Sequence, residues 1–195
     1  MKILKYLFFA ALALILIFLA FGWIHPTVQY GKEITVDKSA KEAWAVAQDE
    51  SKFDQWLAGF KSIELLSGEK GAPGSTYKVV VNPGEGQPDF EMTETIVDIQ
   101  EFDHIDLHFD SDVMEFNQRQ SFTEADGKTT VRTESEVIGK SMMTRSMFAM
   151  MEIFAGQFSG QESKNVEALK TVIEENTTDY YPAPAPVEGD SLMME

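Results

Sequence analysis

Residues 141–176 read SMMTRSMFAMMEIFAGQFSGQESKNVEALKTVIEEN. Met143, Met147, Met150, Met151, Phe154 and Phe158 recur at the spacing of one helix face, and Val166, Leu169, Val172 and Ile173 continue it. Glu162 interrupts this stripe, beside Gly156 and Gly160. Two glycines four apart in a long helix predict a kink or a close approach to another backbone. Upstream the period changes. Phe90–Gln100, His104–Ser111, Met114–Thr123 and Thr129–Ile138 alternate as strands, with Phe102-Asp103 and Asp126-Gly127 as turns between them. Val28–Val36, Ile63–Leu66 and Tyr77–Val81 read as three earlier strands. Gly68, Gly71, Pro73 and Gly74 form a turn, and Pro83, Gly84, Gly86 and Pro88 a loop. After the first strand, Ser39 caps a helix opened by Ala40, Lys41 and Glu42, with Ala43, Trp44 and Ala47 on its apolar face. A second short helix runs from Lys52 to Trp56 or Leu57. The fold class is α+β. A curved antiparallel sheet of about six to seven strands has one apolar face, and a single long terminal helix covers it. A sheet curved around a helix tends to leave a cavity between them.

The chain has 195 residues, enough for one domain and extensions. Sixteen Lys and Arg face 32 Asp and Glu, a net charge of −16. That balance argues against binding nucleic acid, which rests on neutralising phosphates, and against polybasic attachment to anionic lipid. The absence of cysteine excludes disulfides, a thiol nucleophile and thiolate metal sites.

From Tyr6 to Ile24 every residue is apolar, aromatic or glycine, and no charged residue falls between Lys5 and Lys32. As a helix this run spans roughly 28 Å, about the thickness of a bilayer core. Tyr6 and Trp23 stand at its ends, where amphipathic rings favour the interface. Lys2, Lys5 and the amino terminus place that end in the cytoplasm and the body on the exported side. The competing reading is a cleaved signal peptide with Ala20-Phe21-Gly22 as its small-x-small site, which releases a secreted body. The expected organisation is a transmembrane anchor or signal in 1–27, a domain in 28–177, and a disordered, acidic, Pro-rich tail in 178–195.

The segment EITVDKSAKEAWAVAQDESKFDQW, residues 33–56, supplies a strand, a small-residue helix start at Ala40, a helical Trp44, Asp49 and Trp56. GEKGAPGSTY (68–77) is a Gly-rich turn into a strand, EMTETIVDIQEFDHIDLHF (91–109) a strand pair, and GQFSGQESKNVEALKTVIEE (156–175) a closing helix. In this order they resemble the START/birch-pollen-allergen superfamily, in particular its polyketide-cyclase/dehydrase-and-lipid-transport (SRPBCC) branch. The resemblance covers essentially all of 28–177 and extends to membrane-anchored bacterial members. One departure is the lack of a Trp near Thr133 on the last strand. The resemblance implies a helix-grip fold whose C-terminal helix faces a cavity. Met143, Met147, Phe148, Met151 and Phe154 are then candidate walls, the alternative being that they fill a closed core.

Across that cavity, Phe116, Gln118, Gln120 and Phe122 share one strand face, and Thr133 and Ser135 look into the same interior. Rings mixed with amides suit a wall that orients a ligand. Trp56 and Tyr77 complete the candidate lining. His104 and His108 share a face with Asp106 and Asp110; a metal or general base is conceivable there, but a solvated outer face explains the pattern. Arg119 and Arg132 among Glu115, Glu124, Glu134 and Glu136 read as cross-strand ion pairs. No G-x-S-x-G, H-E-x-x-H or G-x-x-x-x-G-K pattern occurs, and Asp89, Glu91 and Glu94 are merely carboxylates near a loop. No catalytic residue, metal ligand or cofactor is assigned. The expected function is a membrane-tethered module that binds a hydrophobic small molecule or lipid. Two alternatives stay open: a cyclase- or dehydratase-like enzyme, and a protein-interaction role like that of relatives which contact the Hsp90 chaperone.

Overall fold

The computed structural model of the chain describes residues 2–84 and 86–182. A long helix α1 (Lys2–Ile24) leads into β1 (Thr27–Val36). Helix α2 (Ala40–Ala47), a 3-10 turn at Glu50–Lys52 and α3 (Phe53–Trp56) follow. Six strands come next: β2 (Phe60–Ser67), β3 (Thr76–Val81), β4 (Phe90–Gln100), β5 (His104–Asp110), β6 (Met114–Ala125) and β7 (Lys128–Gly139). Helices α4 (Met142–Ala155) and α5 (Gln157–Glu174) end the fold.

All seven strands form one antiparallel sheet in the order β1-β7-β6-β5-β4-β3-β2. Strands β2 to β7 are a plain meander; β1 returns to pair with β7 and leaves the short helices to bridge the two edges. Local chemistry explains the joints. Ser39 and Glu42 form a reciprocal capping box that opens α2. Asp126 and Gly127, both with positive φ, make the two-residue turn that sets Ala125 opposite Lys128. Phe102 also holds a positive φ, and its ring sits edge-on to Trp44 and Tyr181.

The terminal helix is two helices, not one. Gly156 takes a left-handed conformation (φ 55°, ψ 40°) that ends α4 and precedes α5. The Glu152 carboxylate accepts from the N–H groups of Phe158 (2.9 Å) and Ser159 (3.3 Å) and so caps α5. Gly160 continues as ordinary helix with open space beside its Cα. The break sends the two pieces to different places. Helix α5 covers the sheet: its Val166, Leu169 and Ile173 join Ile34, Val36, Trp44, Phe122 and Val131 in the main core. Helix α4 turns outward and packs on α1, where Phe21 meets Phe154 at 5.9 Å between ring centroids.

Helix α1 is 23 residues long and apolar enough to cross a membrane. Gly22 is its one buried residue, pressed so close to Ser146 and the Met142 carbonyl that a Cβ there would clash. At the other end of the domain, the first residues of the expected tail make contacts with the body. Tyr180 donates to Asp49 at 2.6 Å, and Tyr181 lies under the Lys41 ammonium at 3.8 Å from the ring centroid. The Tyr180 hydroxyl thus holds the chain to the start of the 3-10 turn, and the Tyr181 ring holds it to α2. The remainder of the expected tail, 183–195, lies outside the described residues.

Candidate functional site

Alternation along the strands and a four-residue period along α5 aim a set of side chains at the space between them. From the sheet come Tyr77 and Val79 on β3, Met92, Glu94 and Ile96 on β4, Ile105, Leu107 and Phe109 on β5, Phe116, Gln118 and Gln120 on β6, and Thr133 on β7. Helix α5 contributes Phe158, Gln161, Glu162, Asn165 and Val166, and the short helices contribute Trp44, Phe53 and Trp56. They enclose a cavity of about 920 Å³, which is the size of a site for a drug-sized molecule.

Polar groups are set into this mostly apolar wall. Gln118 Nε2 donates to Ser135 Oγ at 3.2 Å. The Tyr77 hydroxyl accepts from Gly71 N at 2.7 Å and so pins the Gly-rich turn at the rim. Tyr30 stacks between Phe116 and Phe158, and burial, helped by the charge of Glu162, pushes its hydroxyl well above the ordinary tyrosine value. Two carboxyls are shielded from water. Glu94 is pushed up to about 7, by burial first and then by the charge of Glu50. Glu162, only 7% exposed, is also raised by burial, and the Thr133 hydroxyl opposes the shift. Its Oε1 has no hydrogen-bond partner, and neither has Trp56 Nε1. An unpaired buried carboxylate is costly, so this atom marks a place where something else completes the site.

Of the residues expected to line the cavity, Trp56, Tyr77, Phe116, Gln118, Gln120 and Thr133 do so together. Phe122 lies beyond it, packed edge-on to Trp44 at 5.3 Å, and Ser135 stands behind Gln118. Phe148 is buried with Val28 and Val137 in a second cluster and meets Phe158 at 5.5 Å. Met143, Met147, Met151 and Phe154 lie outside the lining; Met143 is 67% exposed and Phe154 70%. The reason is the break at Gly156, which gives the cavity-facing position to α5 and turns the Met-rich face of α4 away. The expected lining omits Phe158 and Glu162, both noted along the stripe, and Tyr30 on β1. The signal for Glu162 was its place within an otherwise apolar stripe, where a charge has no solvent to face.

On the opposite face of the sheet, His104 Nδ1 lies 2.6 Å from Asp103 and its Nε2 3.1 Å from Asp98. These two bonds, Asp103 first, hold the His104 pKa above the ordinary histidine value. Asp98, His104 and Asp106 offer three ligand atoms within 4.8 Å of one another, but Arg119 Nε also stands 3.4 Å from Asp106. An ion-paired outer face accounts for the cluster without a metal.

No protein-family model and no curated protein sequence matches the chain. Solved structures do. Ara h 8.0201 superposes with a TM-score of 0.58 at 17% identity, over 77% of this chain and 99% of that one. The di-domain ARO/CYC protein BexL from the BE-7585A biosynthetic pathway gives 0.58 at 15% identity, over 78% of this chain and 52% of that one. Norcoclaurine synthase from Thalictrum flavum, in complex with dopamine and hydroxybenzaldehyde, gives 0.56 at 14% identity, over 78% and 90%. At such identities the likeness is one of fold.

Proposed function

We propose a function for a chain that has the helix-grip fold of the START/birch-pollen-allergen superfamily: it is a membrane-tethered module that binds a hydrophobic small molecule or lipid. The cavity of about 920 Å³, apolar over most of its wall with a few convergent polar groups, carries this reading. Burying about 300 Å² of apolar ligand surface would supply roughly 7 kcal/mol before the cost of association.

The tether is α1, kept in the mature protein. Packing supports retention: cleavage after Gly22 would strip the helix that covers Ser146 and touches the edge of Phe154. The free face of α4 supports a seat on the bilayer. Met143, Met147, Ile153 and Phe154 are exposed there, while both charges of α4 turn to the domain. Arg145 Nε donates to the Gly139 carbonyl at 2.8 Å, and Glu152 caps α5. An apolar helix face continuous with a membrane span suits the acyl–headgroup boundary. The cationic N-terminal flank favours a cytoplasmic amino terminus and an exported domain.

A second reading, acid–base catalysis of the cyclase or dehydratase kind, draws on the two shielded carboxyls Glu94 and Glu162. Native mass spectrometry of the detergent-extracted full chain tests the binding reading, beside Leu107→Trp, which fills the cavity from β5. The expected result is a co-purified small mass on the wild type that the equally folded variant lacks. A wild type that emerges empty and binds no lipid probe overturns the reading.

A further inference from the structure

We infer, on the premise that the cavity binds a ligand, that this ligand carries a cationic ammonium head seated against Glu162, beside the aromatic stack of Tyr30, Phe116 and Phe158. Four observations converge. The Glu162 side chain belongs to the lining, it is 93% removed from solvent, and its Oε1 receives no hydrogen bond from the protein. Its one favourable neighbour is the Thr133 hydroxyl. A carboxyl in that setting either keeps a proton or takes a donor from a guest, and a charged donor returns the most.

The surroundings favour positive charge in the guest. Three carboxyls line the cavity, Glu50, Glu94 and Glu162, against two ammonium groups, Lys61 and Lys70. Lys70 Nζ lies 3.0 Å from Glu50 Oε2, which leaves that pair neutral. Lys61 is exposed on β2, and among the described residues neither Glu94 nor Glu162 is in an ion pair. An anionic head would meet two shielded carboxyls and no free buried cation.

The third observation is aromatic. Tyr30, Phe116 and Phe158 form a stack next to Glu162, with ring centroids 6.5 and 5.8 Å from Tyr30. Rings beside a carboxylate give the carbon substituents of an organic ammonium apolar surface to pack on while the carboxylate takes the charge. The fourth is shape. The apolar residues Val79, Ile96, Ile105 and Leu107 line the rest of the cavity and fit an alkyl or aryl body. The indole N–H of Trp56 is also unpartnered, but as a neutral donor it selects an acceptor and not a charge. Uptake of an ammonium ion would release the protons that shielding holds on these carboxyls, so binding would tighten as the pH rises towards 8.

Three probes with one apolar body and different heads test this: 4-phenylbutylamine, 4-phenylbutanol and 4-phenylbutyrate. Calorimetric titration of the full chain in phosphatidylcholine nanodiscs at pH 8, with empty nanodiscs subtracted, reads each affinity. The amine is expected to bind about tenfold tighter than the alcohol, and the carboxylate weakest. Glu162→Gln should bring the amine-to-alcohol ratio close to one and leave the alcohol within about twofold of wild type. Glu162→Met serves as a second charge-free variant of similar size should Gln disturb α5. Equal binding of amine and alcohol by the wild type, or preference for the carboxylate, overturns the inference and leaves the cavity reading intact. An amine preference that survives both variants also overturns it. Binding of none of the three overturns it as well, and if the native mass spectrum is empty too, the cavity reading falls with it.

Discussion

Glu94 stands opposite Tyr77 on one neighbouring strand and Phe109 on the other, and turns its carboxyl inward. Burial and the charge of Glu50 raise its pKa from 4.5 to about 7. Below 4.5 the group is neutral in folded and unfolded chains alike. Between these values the folded chain holds a proton that the unfolded chain has released, so stability falls as the pH rises through the window. The loss is on the order of 2 kcal/mol once the group's partial exposure is allowed for. Glu162 acts in the same direction. His104 adds to the slope: its raised value stabilises fully below pH 6.5 and less above its folded pKa. A single variant separates Glu94 from both. Glu94→Gln should melt close to wild type at pH 4.5 and about 5 °C higher at pH 8. An equal offset at both pH values would show that Glu94 is not protonated in the folded protein.

At the scale of elements, the contact between α1 and α4 makes a separate claim. Gly22 admits Ser146 Oγ and the Met142 carbonyl to within the space of a side chain, and it is the one buried residue of α1, with Phe18, Leu19 and Phe21 half-buried around it. Gly22→Leu should therefore lift α1 off α4 and bare Ser146, which is fully buried beneath it. The cavity, formed by the sheet and α5, should be untouched. Limited proteolysis in nanodiscs checks this: faster cleavage between Ile24 and Val28 is expected, with binding of 4-phenylbutylamine unchanged. Loss of binding would show that α1 supports the cavity itself. This same region shows where periodicity stops being informative. Period two assigns Phe116, Gln118, Gln120 and Thr133 to the inside because a strand has only two faces, and all four side chains line the cavity. A helix face carries no such guarantee across a glycine. Gly156 and Gly160 are both compatible with a continuing helix, and their spacing does not tell which of them turns left-handed, as Gly156 does. Once the helix breaks there, the face of α4 says nothing about the face of α5, so the Met stripe pointed to the wrong side. The strand limits of β4 and the capping box at Ser39 were legible because they depend on near neighbours; the inward turn of Glu162 was not, because it depends on a cavity made by distant strands.

At the scale of the whole molecule, the proposed tether and its orientation are open to direct measurement. The charges flanking α1 are the ground for that orientation, with Lys2 and Lys5 on one side and Lys32 and Lys38, offset by Glu33 and Asp37, on the other. The chain contains no cysteine, so its sheet and main core hold the domain without disulfides. That lack also makes the topology easy to measure, because any introduced thiol is unique. Glu101 lies exposed in the turn between β4 and β5, well away from α1 and the cavity lining. Glu101→Cys should react with a membrane-impermeant maleimide in intact bacterial cells, whereas Lys2→Cys should react only after the membrane is permeabilised. The labelled protein should keep the mass of the full chain and sediment with membranes. A labelled species shorter by about twenty residues and free in solution would mean that α1 is a signal that is removed, since helix rise makes so short a loss equivalent to the whole span. Protection of Glu101→Cys in intact cells would reverse the orientation: the cavity would then face the cytoplasm, and its ligand would come from the cell's interior.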